Sequence, residues 1–380
     1  MKHKMKGKHI ISNFFAVAAL LLAAGCANFE TENVYSDVPM SFRTYAPHAV
    51  NRAGAGADDF SPVTRAAADP GAVTGTTLPA NTSFGVFAYK QDGDVSNGTV
   101  AHWTDGGWNS AFMFNQRVDF DGTDYDYTPI QYWPSNEENT ISFWAYWPYE
   151  LYAAGNTGAL KFYETGALTS AYTSSSTTGL PVAKYTVSTD PAQQYDLLFD
   201  SFDNSDRTYA NGTGADGEVP LNFRHALAMV EFQIAEGTGA VINSMSVNNL
   251  LWSGTCTNPA TRTWTADAGS SATFSLSDVE IESSTICTLI MIPQTINASA
   301  TLSINYDITF ESSDPSYPAP IPYSGNIGSA LLTSAGIDRW EAGQHYVYRI
   351  TADYERIEFE EVVLAGDDWS VGNSNISVPE

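Results

Sequence analysis

Four aspartates, Asp119, Asp121, Asp124 and Asp126, fall within eight residues of the sequence. Closely spaced carboxylate oxygens are the ligands that hard cations such as Ca²⁺ prefer. The spacing does not match that of an EF-hand loop, and Gly122 lies between two strand-like segments, which is typical of a hairpin turn. A solvated turn is therefore the favoured interpretation, and a weak calcium site is the alternative.

Histidine is scarce, and the sequence lacks the motifs of nucleophilic, zinc and nucleotide chemistry. Beyond residue 9 the histidines are His48, His102, His225 and His345, and no HExxH, GxSxG or P-loop pattern occurs. His225 lies in the mainly apolar segment 223–228, where a buried packing role is the simpler interpretation. We therefore predict that the protein is not an enzyme and needs no cofactor.

The chain has three cysteines, of which Cys256 and Cys287 lie in β-like segments. A disulfide between neighbouring strands suits an oxidising compartment. Two buried thiols that act as small hydrophobic side chains are an equally good interpretation. No CxxC pair occurs, so a thiolate metal site or a redox motif is not supported.

The remaining cysteine, Cys26, ends a segment with the composition of a lipoprotein signal peptide. Residues 1–9 carry four lysines and no acid, and residues 10–22 are almost entirely apolar. The apolar stretch is short for a membrane span, and small residues precede the cysteine, as in a lipobox. We predict a signal peptide over 1–25, lipidation of Cys26 and anchoring through that lipid. Ordinary secretion with Cys26 discarded is the alternative.

The elements that carry these residues belong to an acidic chain with a substantial core. The 380 residues include 17 Lys and Arg against 43 Asp and Glu, a formal net charge of −26. That balance argues against nucleic acid as a partner, because cationic side chains bind phosphate backbones. Hydrophobic residues make up 43% of the chain and aromatic residues 13%, too much for a disordered acidic protein.

Short strand-like runs dominate the chain, and helical periodicity is scarce. Runs rich in Val, Ile, Phe, Tyr and Trp are separated by Gly, Asn, Asp and Pro, which predicts an all-β sandwich class. A polar run at 204–217 gives way to apolar sequence near residue 221. We therefore divide the chain into 66–220 and 221–380, each about the size of one sandwich, with 26–65 as a separate N-terminal segment. The clearest predicted strands are 84–89, 141–147, 229–234 and 301–308.

The order of several short motifs resembles the fimbrillin family, the subunits of type V pili of gut and oral bacteria. No motif is specific alone, but their order and spacing together are, and they cover nearly the whole chain. They are the lipobox at Cys26, a strand ending at Phe42, TRA at 64–66, FGVFAY at 84–89, YWP at 132–134, FWAYWP at 143–148, DLLF at 196–199, FRHALA at 223–228, LIMIPQ at 289–294 and WEAGQHYVY at 340–348.

The resemblance implies two tandem transthyretin-like β-sandwich domains and assembly into a surface fibre. It implies an outer-membrane lipoprotein precursor that an Arg-specific maturation protease cuts between Arg65 and Ala66. The strand that contains Val38, Met40 and Phe42 would then be displaced. The open edge left behind would accept a strand from another fimbrillin-type subunit, giving a head-to-tail polymer.

The candidate donor strand lies in the C-terminal segment 354–380. Its alternation is regular at first and is then broken by three consecutive apolar residues, which predicts a bulge or a turn. The alternative is that this segment is the last strand of the C-terminal sandwich, so that the subunit accepts a strand without donating one. The apolar side chains of the candidate donor are Ile357, Phe359, Val362, Val363 and Leu364.

The alternative function is a lipid-anchored surface binding protein or tip adhesin that does not polymerise and that has a host or glycan ligand. The aromatic residues concentrated between 125 and 149 bear on it, because Trp and Tyr rings stack on sugars. In alternating strands, however, half of such rings face the core. Core packing is therefore the favoured interpretation of this run.

Overall fold

The computed structural model describes residues 35–46, 78–91, 112–135, 140–165, 168–201, 204–207, 218–234, 240–277, 285–310, 321–352 and 356–367. Within these ranges the regular structure is β-strand, with three short 3₁₀ turns and no α-helix. The all-β class is thus confirmed, while the transthyretin-like detail stays a prediction. The 3₁₀ turns are Tyr149–Leu151, Pro191–Gln193 and Leu332–Ala335.

The strands that precede Ala226 are β1 (Tyr35–Pro39), β2 (Ser41–Tyr45), β3 (Thr82–Gln91), β4 (Met113–Phe120), β5 (Tyr125–Asp126), β6 (Tyr132–Pro134), β7 (Thr140–Trp147), β8 (Leu160–Tyr163), β9 (Val182–Thr186), β10 (Leu198–Asp200), β11 (Asn204–Arg207) and β12 (Glu218–His225). Most of them form one sheet in the order β2-β12-β10-β7-β3-β4-β5, with β11 also paired to β7. β1 pairs with β6 in a separate two-stranded sheet.

The central strand β7 shows why this sheet holds the middle of the fold. All eight of its residues are buried. Alternate side chains point to opposite faces of a strand, and here they enter two different cores. Phe143 and Trp147 belong to a cluster formed only by the N-terminal strands, whereas Trp144 and Tyr146 belong to a larger cluster that continues into the C-terminal strands. A strand covered on both faces requires a continuous apolar run, as its sequence has.

The later strands are β13 (Ala228–Ile234), β14 (Ala240–Leu251), β15 (Ser253–Asn258), β16 (Thr263–Ala266), β17 (Ser271–Ser277), β18 (Thr285–Met291), β19 (Gln294–Thr295), β20 (Thr301–Phe310), β21 (Ile321–Leu331), β22 (Arg339–Trp340), β23 (Gln344–Ala352) and β24 (Ile357–Asp367). Two four-stranded sheets, β18-β13-β23-β24 and β17-β14-β20-β21, form the C-terminal sandwich. β20, predicted as a strand over 301–308, has one buried face: its even-numbered residues from 302 to 308 are buried, and those between them are half-buried.

A further sheet joins the two halves of the chain. Its order is β16-β15-β9-β8, so strands from 160–186 pair with strands from 253–266. The predicted polar boundary segment contains β11, and the boundary between 220 and 221 falls inside β12. Because β12 pairs with β2 and β10, the pairing places the end of the N-terminal sheet at His225. The two-domain division itself stays a prediction.

Candidate functional site

The N-terminal segment 35–46 runs from one sheet to another. β1 pairs antiparallel with β6, through Tyr35↔Pro134 and Pro39↔Tyr132. β2 pairs in parallel with β12, from Ser41↔Glu218 to Tyr45↔Asn222, and forms an edge of the large sheet. No local turn can create this parallel pair, because the two strands lie far apart in the sequence.

Alternate side chains of this segment fill the N-terminal core. Met40, Phe42, Thr44 and Ala46 are at most 2% exposed. Val38 is half-buried and packs against the same cluster. The three residues that we predicted for the displaced strand, Val38, Met40 and Phe42, therefore all lie against one core.

The Phe42 ring makes the most extensive aromatic contacts of these side chains. Its centroid lies 5.9 Å from that of Phe84, 5.6 Å from that of Tyr127 and 6.3 Å from that of Phe143, each edge to face. Such geometry is favourable beyond the area that it buries. The next residue, Arg43, points the other way and lies 3.7 Å from a Glu218 carboxylate oxygen at the surface.

Hydroxyl groups hold the other side of the segment. Tyr127 Oη donates to Met40 O at 2.9 Å, and Met40 N donates to Gln131 O at 2.8 Å. Thr44 N donates to Tyr125 Oη at 3.2 Å, and Thr44 Oγ1 lies 2.8 Å from the same oxygen. Tyr125 is in β5, at the opposite end of the sheet order from β2. The segment 38–46 thus fills a gap between β12 and residues 125–131, which we call the strand slot.

The sequence did not point to Tyr125, Tyr127 or β12 as partners of the N-terminal strand. The two tyrosines lie in a run of aromatic residues that the pattern assigns to core packing as a whole. The distinguishing feature is a pair of tyrosines two residues apart, but nothing local indicates that their hydroxyls reach a backbone 81 and 87 residues away.

The candidate donor lies in the sheet of its own subunit. β24 pairs antiparallel with β23, from Gln344↔Asp367 to Ala352↔Ile357, at the edge of its sheet. Its side chains are used in the C-terminal core: Ile357 and Val362 are buried, and Phe359, Val363 and Leu364 are half-buried. These five residues therefore lie in or against the C-terminal core of their own subunit, and their role as a donor strand stays a prediction.

The predicted irregularity in this strand is a β-bulge. Ile350 pairs with Phe359 and Arg349 pairs with Glu361, which leaves Glu360 as the extra residue. On the facing sheet, a Cβ at Gly328 would lie 2.5 Å from Ile357 Cγ2, so the glycine is required by the close approach of β24.

The processing positions lie outside the described residues. These are the signal segment 1–25, the lipidation candidate Cys26 and the cleavage candidates Arg65 and Ala66. In sequence, Arg65 falls between Ala46, the last described residue of the N-terminal segment, and Leu78, where the description resumes. Among the described residues, no helix is long and apolar enough to cross a membrane.

Cys256 and Cys287 are both buried thiols. Cys256 is in β15, opposite Ala183 of β9, whereas Cys287 is in β18, opposite Phe232 of β13. The two strands belong to different sheets, so Cys256 and Cys287 do not face each other across a strand pair. Burial raises the pKa of the Cys256 thiol, which suppresses its thiolate form.

We expect the two thiols to be unreactive in the folded protein. In the full chain carrying Cys26→Ser, a thiol reagent at pH 8 should label about two thiols per chain in denaturant and less than about a fifth of that number without it. The measurement is mass spectrometry of the labelled chain, with and without prior reduction. Labelling in denaturant that requires reduction would contradict the thiol assignment.

The aspartate cluster forms a hairpin turn. Asp119 Oδ1 accepts hydrogen bonds from Ser83 Oγ at 2.6 Å and Arg117 Nε at 2.7 Å, and Asp121 Oδ1 accepts from the Thr123 and Asp124 amides at 2.7 and 2.8 Å. These hydrogen bonds lower the pKa of both carboxyl groups. The bond from Ser83 is the largest cause for Asp119, and the bond from the Asp124 amide is the largest cause for Asp121. Asp119 and Asp126 face each other in the β4–β5 pair. In the described part of the chain, no group of three or more potential ligands is placed to hold a metal ion.

His225 is fully buried and lies against the equally buried carboxyl group of Asp196. Its Nδ1 lies 2.8 Å from Asp196 Oδ2, and both side chains are 0% exposed. The Ala226 amide donates to Leu197 O at 2.7 Å, so the motifs at 196–199 and 223–228 are neighbours in space. The packing role that we predicted for His225 agrees with this environment.

Replacing Asp196 with alanine should lower the free energy of unfolding by about 3 kcal/mol, because it removes one partner of a fully buried polar pair. The matched control is Glu341→Ala, which removes the partner of Arg339 where both side chains are about 60% exposed. That change should cost less than about 1 kcal/mol. Urea titration monitored by tryptophan fluorescence measures both, and equal effects would contradict the assignment.

The aromatic run between 125 and 149 is mainly core. Among the aromatic residues on its described strands, only Tyr132 is well exposed, at 43%. A cleft of about 700 Å³ opens beside the end of β7. It combines Tyr195 and Trp252 with hydroxyl and amide side chains such as Ser188 and Gln193, and Glu150 is the charged residue in its lining. The buried rings of the run are Trp133, Phe143, Trp144, Tyr146 and Trp147.

Comparisons with known proteins identify the family. The sequence profile described as fimbrillin-like matches residues 64–365. The fimbrium subunit Fim1C of Phocaeicola vulgatus is 28% identical over 147 residues, which are 37% of this chain but only 31% of that relative. The crystal structure of a fimbrial protein from Bacteroides vulgatus has a TM-score of 0.51 at 20% identity, covering 73% of this chain and 91% of that one, a likeness in fold. Because the profile covers well over half of its residues, this chain belongs to the fimbrillin-like family.

Proposed function

We propose that the protein is a structural subunit of a surface fimbria and that it polymerises by strand replacement. Cleavage by an Arg-specific protease after Arg65 would separate the N-terminal strand from the rest of the chain. A strand from another subunit would then occupy the strand slot. Membership of a family of structural fimbrial subunits, rather than of enzymes, supports this function.

One observation carries the proposal. The segment 38–46 is distant in sequence from the strands that bind it. It nevertheless buries side chains in the N-terminal core, pairs in parallel with β12 and accepts a hydrogen bond from the Tyr127 hydroxyl. Its loss would expose an apolar groove with unpaired backbone groups along β12. In folded proteins such a strand edge is normally covered. An added strand pairs with its free backbone N–H and C=O groups and places alternate side chains in the pockets of the groove.

The charge of the chain constrains how that strand is held. Residues 66–380 carry 10 Lys and Arg and 38 Asp and Glu, a formal net charge of −28. Subunits with this charge repel one another, and salt screens the repulsion only between exposed groups. Apolar burial, about 1.5–3 kcal/mol for a large side chain, and backbone pairing must therefore stabilise the joint.

The N-terminus supports a route to the cell surface. A lipid on Cys26 would tether the precursor to the outer membrane before cleavage, and removal of residues up to Arg65 would release the subunit from that tether. A subunit that is not cleaved would keep its lipid, which would suit a protein at the base of a fibre.

Digestion of the full chain with an Arg-specific protease tests the proposal. N-terminal sequencing should find Ala66 as the new terminus, and electrophoresis without boiling should show a ladder of oligomers. Arg65→Ala should abolish both the new terminus and the ladder, whereas Arg52→Ala, the matched control, should change neither. Complete cleavage after Arg65 with only monomers would contradict polymerisation.

The second candidate is a lipid-anchored surface binding protein or tip adhesin that accepts a strand or none and never donates. The pairing of β24 with β23 in its own sheet favours this second candidate, because β24 would have to leave that sheet in order to donate. The cleft that contains Tyr195 and Trp252 would suit a neutral sugar, since rings stack on sugar faces and hydroxyl groups bind their edges. Permanent monomers in the digestion experiment, together with glycan binding that Trp252→Ala removes, would support this candidate.

A further inference from the structure

We propose that Tyr125 and Tyr127 form a backbone clamp that positions whichever strand occupies the strand slot. The partner is an extended segment that runs parallel to β12, as β2 does, and the clamp binds it through its main chain. This inference rests on the proposed function, since it concerns how the emptied slot recognises its next strand.

The Tyr127 hydroxyl is held ready by its own segment. The side chain is 6% exposed, and its Oη accepts from Gln131 N at 3.3 Å while donating to Met40 O at 2.9 Å. Burial raises the pKa of Tyr127, so its hydroxyl keeps its proton and remains a donor. The acceptor is a main-chain carbonyl, which every residue type supplies. This contact therefore does not depend on which side chain enters the slot.

Tyr125 is also fixed by residues outside the N-terminal segment. Its ring stacks on Phe120, with 4.5 Å between ring centroids, and lies edge to face with Phe84 at 6.1 Å. These contacts do not involve the N-terminal strand and would persist if the strand left. Its Oη accepts the Thr44 amide at 3.2 Å and lies 2.8 Å from Thr44 Oγ1. The position of Thr44 therefore suits a small residue with a hydroxyl group.

The clamp defines a register for the incoming strand. The carbonyl that meets Tyr127 and the amide that meets Tyr125 lie four residues apart, so they flank the deep pocket that Phe42 fills. A slip by one residue would turn the buried side chains to the solvent. The expected occupant has an apolar residue, then a large ring, then Ser or Thr, each two positions apart.

Strand exchange in the cut full chain tests the clamp. The chain is cleaved with an Arg-specific protease so that its N-terminal segment stays in place without a covalent link, and a fluorescent synthetic peptide of residues 35–46 is exchanged in and out. Tyr127→Phe and Tyr125→Phe should each release the peptide about threefold to tenfold faster, the effect of one hydrogen bond. Tyr163→Phe, which removes a hydroxyl from a half-buried ring of β8 outside the strand slot, should leave the rate unchanged.

A second peptide separates backbone recognition from side-chain packing. With a peptide carrying Met40→Ala, all release rates rise, but Tyr127→Phe should accelerate release by the same factor as before, because the carbonyl is still present. With a peptide carrying Thr44→Val, Tyr125→Phe should accelerate release by a smaller factor, since one of the two contacts of Tyr125 with residue 44 is already gone. A Tyr127→Phe factor that disappears with the Met40→Ala peptide would overturn the clamp.

Hydrogen exchange of the uncut full chain tests the clamp without strand release. Tyr125→Phe should speed exchange of the Thr44 amide by about threefold to tenfold, and the control Tyr163→Phe should not. Unchanged protection of Thr44 in Tyr125→Phe would overturn the clamp. The wild-type cut chain could also fail to exchange any peptide while Tyr125→Phe still loses protection of the Thr44 amide. That combination would count against strand replacement and would support the clamp.

Discussion

Replacing Phe42 with alanine is expected to lower the free energy of unfolding of the full chain by about 3–5 kcal/mol. The ring is 1% exposed and meets Phe84, Tyr127 and Phe143, so its removal leaves a cavity with rigid aromatic walls. These walls come from several different elements and have little freedom to collapse. After Arg-specific cleavage, the weakened segment should also dissociate more than a hundredfold faster, since every 1.4 kcal/mol is about a factor of ten.

The neighbouring residue supplies the control for this prediction. Arg43 lies on the opposite face of β2, its side chain is 51% exposed, and its partner is a surface carboxylate of Glu218. Arg43→Ala should therefore cost less than about 1 kcal/mol. Urea unfolding and the release of the cut segment, followed by size-exclusion chromatography, measure both variants. Similar effects for the two would mean that the segment is bound by its ladder alone and that the slot has no specific aromatic pocket.

Deleting residues 354–380 is expected to destabilise the C-terminal sandwich by at least about 5 kcal/mol, and deleting 368–380, which keeps all of β24, is the comparison. The longer deletion removes β24 with the buried Ile357 and Val362, each contributing about 1.5–3 kcal/mol, together with its ladder to β23. It also removes Phe359, whose ring lies 5.4 Å from that of Tyr348. Thermal unfolding and protease resistance of both truncated chains measure the difference.

The two deletions also separate two sources of the donor strand. If residues 368–380 donate, the shorter deletion abolishes the oligomer ladder and leaves a folded monomer. If β24 itself leaves its sheet to donate, the ladder survives the shorter deletion and assembly must first overcome the stability of the β23–β24 pair. A C-terminal sandwich that remains fully stable without 354–380 would contradict the position of β24 as a structural strand.

The local patterns of the chain predict its strands well. The predicted strands at 84–89, 141–147, 229–234 and 301–308 are confirmed, since alternation and β-branched or aromatic content are properties of neighbouring residues. Turn chemistry is equally local, and the Asp121 side chain caps the hairpin that Gly122 indicated. The family was also recognisable from the order of short motifs, because the motifs within the described residues lie on strands of the fold.

The pairing of those strands required the folded chain. The partner of β2 is β12, which lies at the other end of the N-terminal sequence. The sheet that pairs β9 with β15 crosses the domain boundary that composition suggested. Composition also allowed β24 to be either a donor or a last strand, since both demand the same alternation. Long-range register depends on which apolar faces meet in three dimensions, and a single strand carries no record of its partner.

Residue types and spacing alone determined the acidic charge and the β-rich pattern. They also indicated an N-terminal segment that ends at the Arg65–Ala66 bond, because each of these features is a property of short stretches of chain. They could not indicate the strand slot. Its floor, its open edge and its two hydroxyl groups come from β3, β7, β12 and residues 125–131, and only the fold brings them around Phe42. Side-chain hydroxyls that bind a distant backbone leave no periodic signal, so that recognition surface emerges only when the sheet closes.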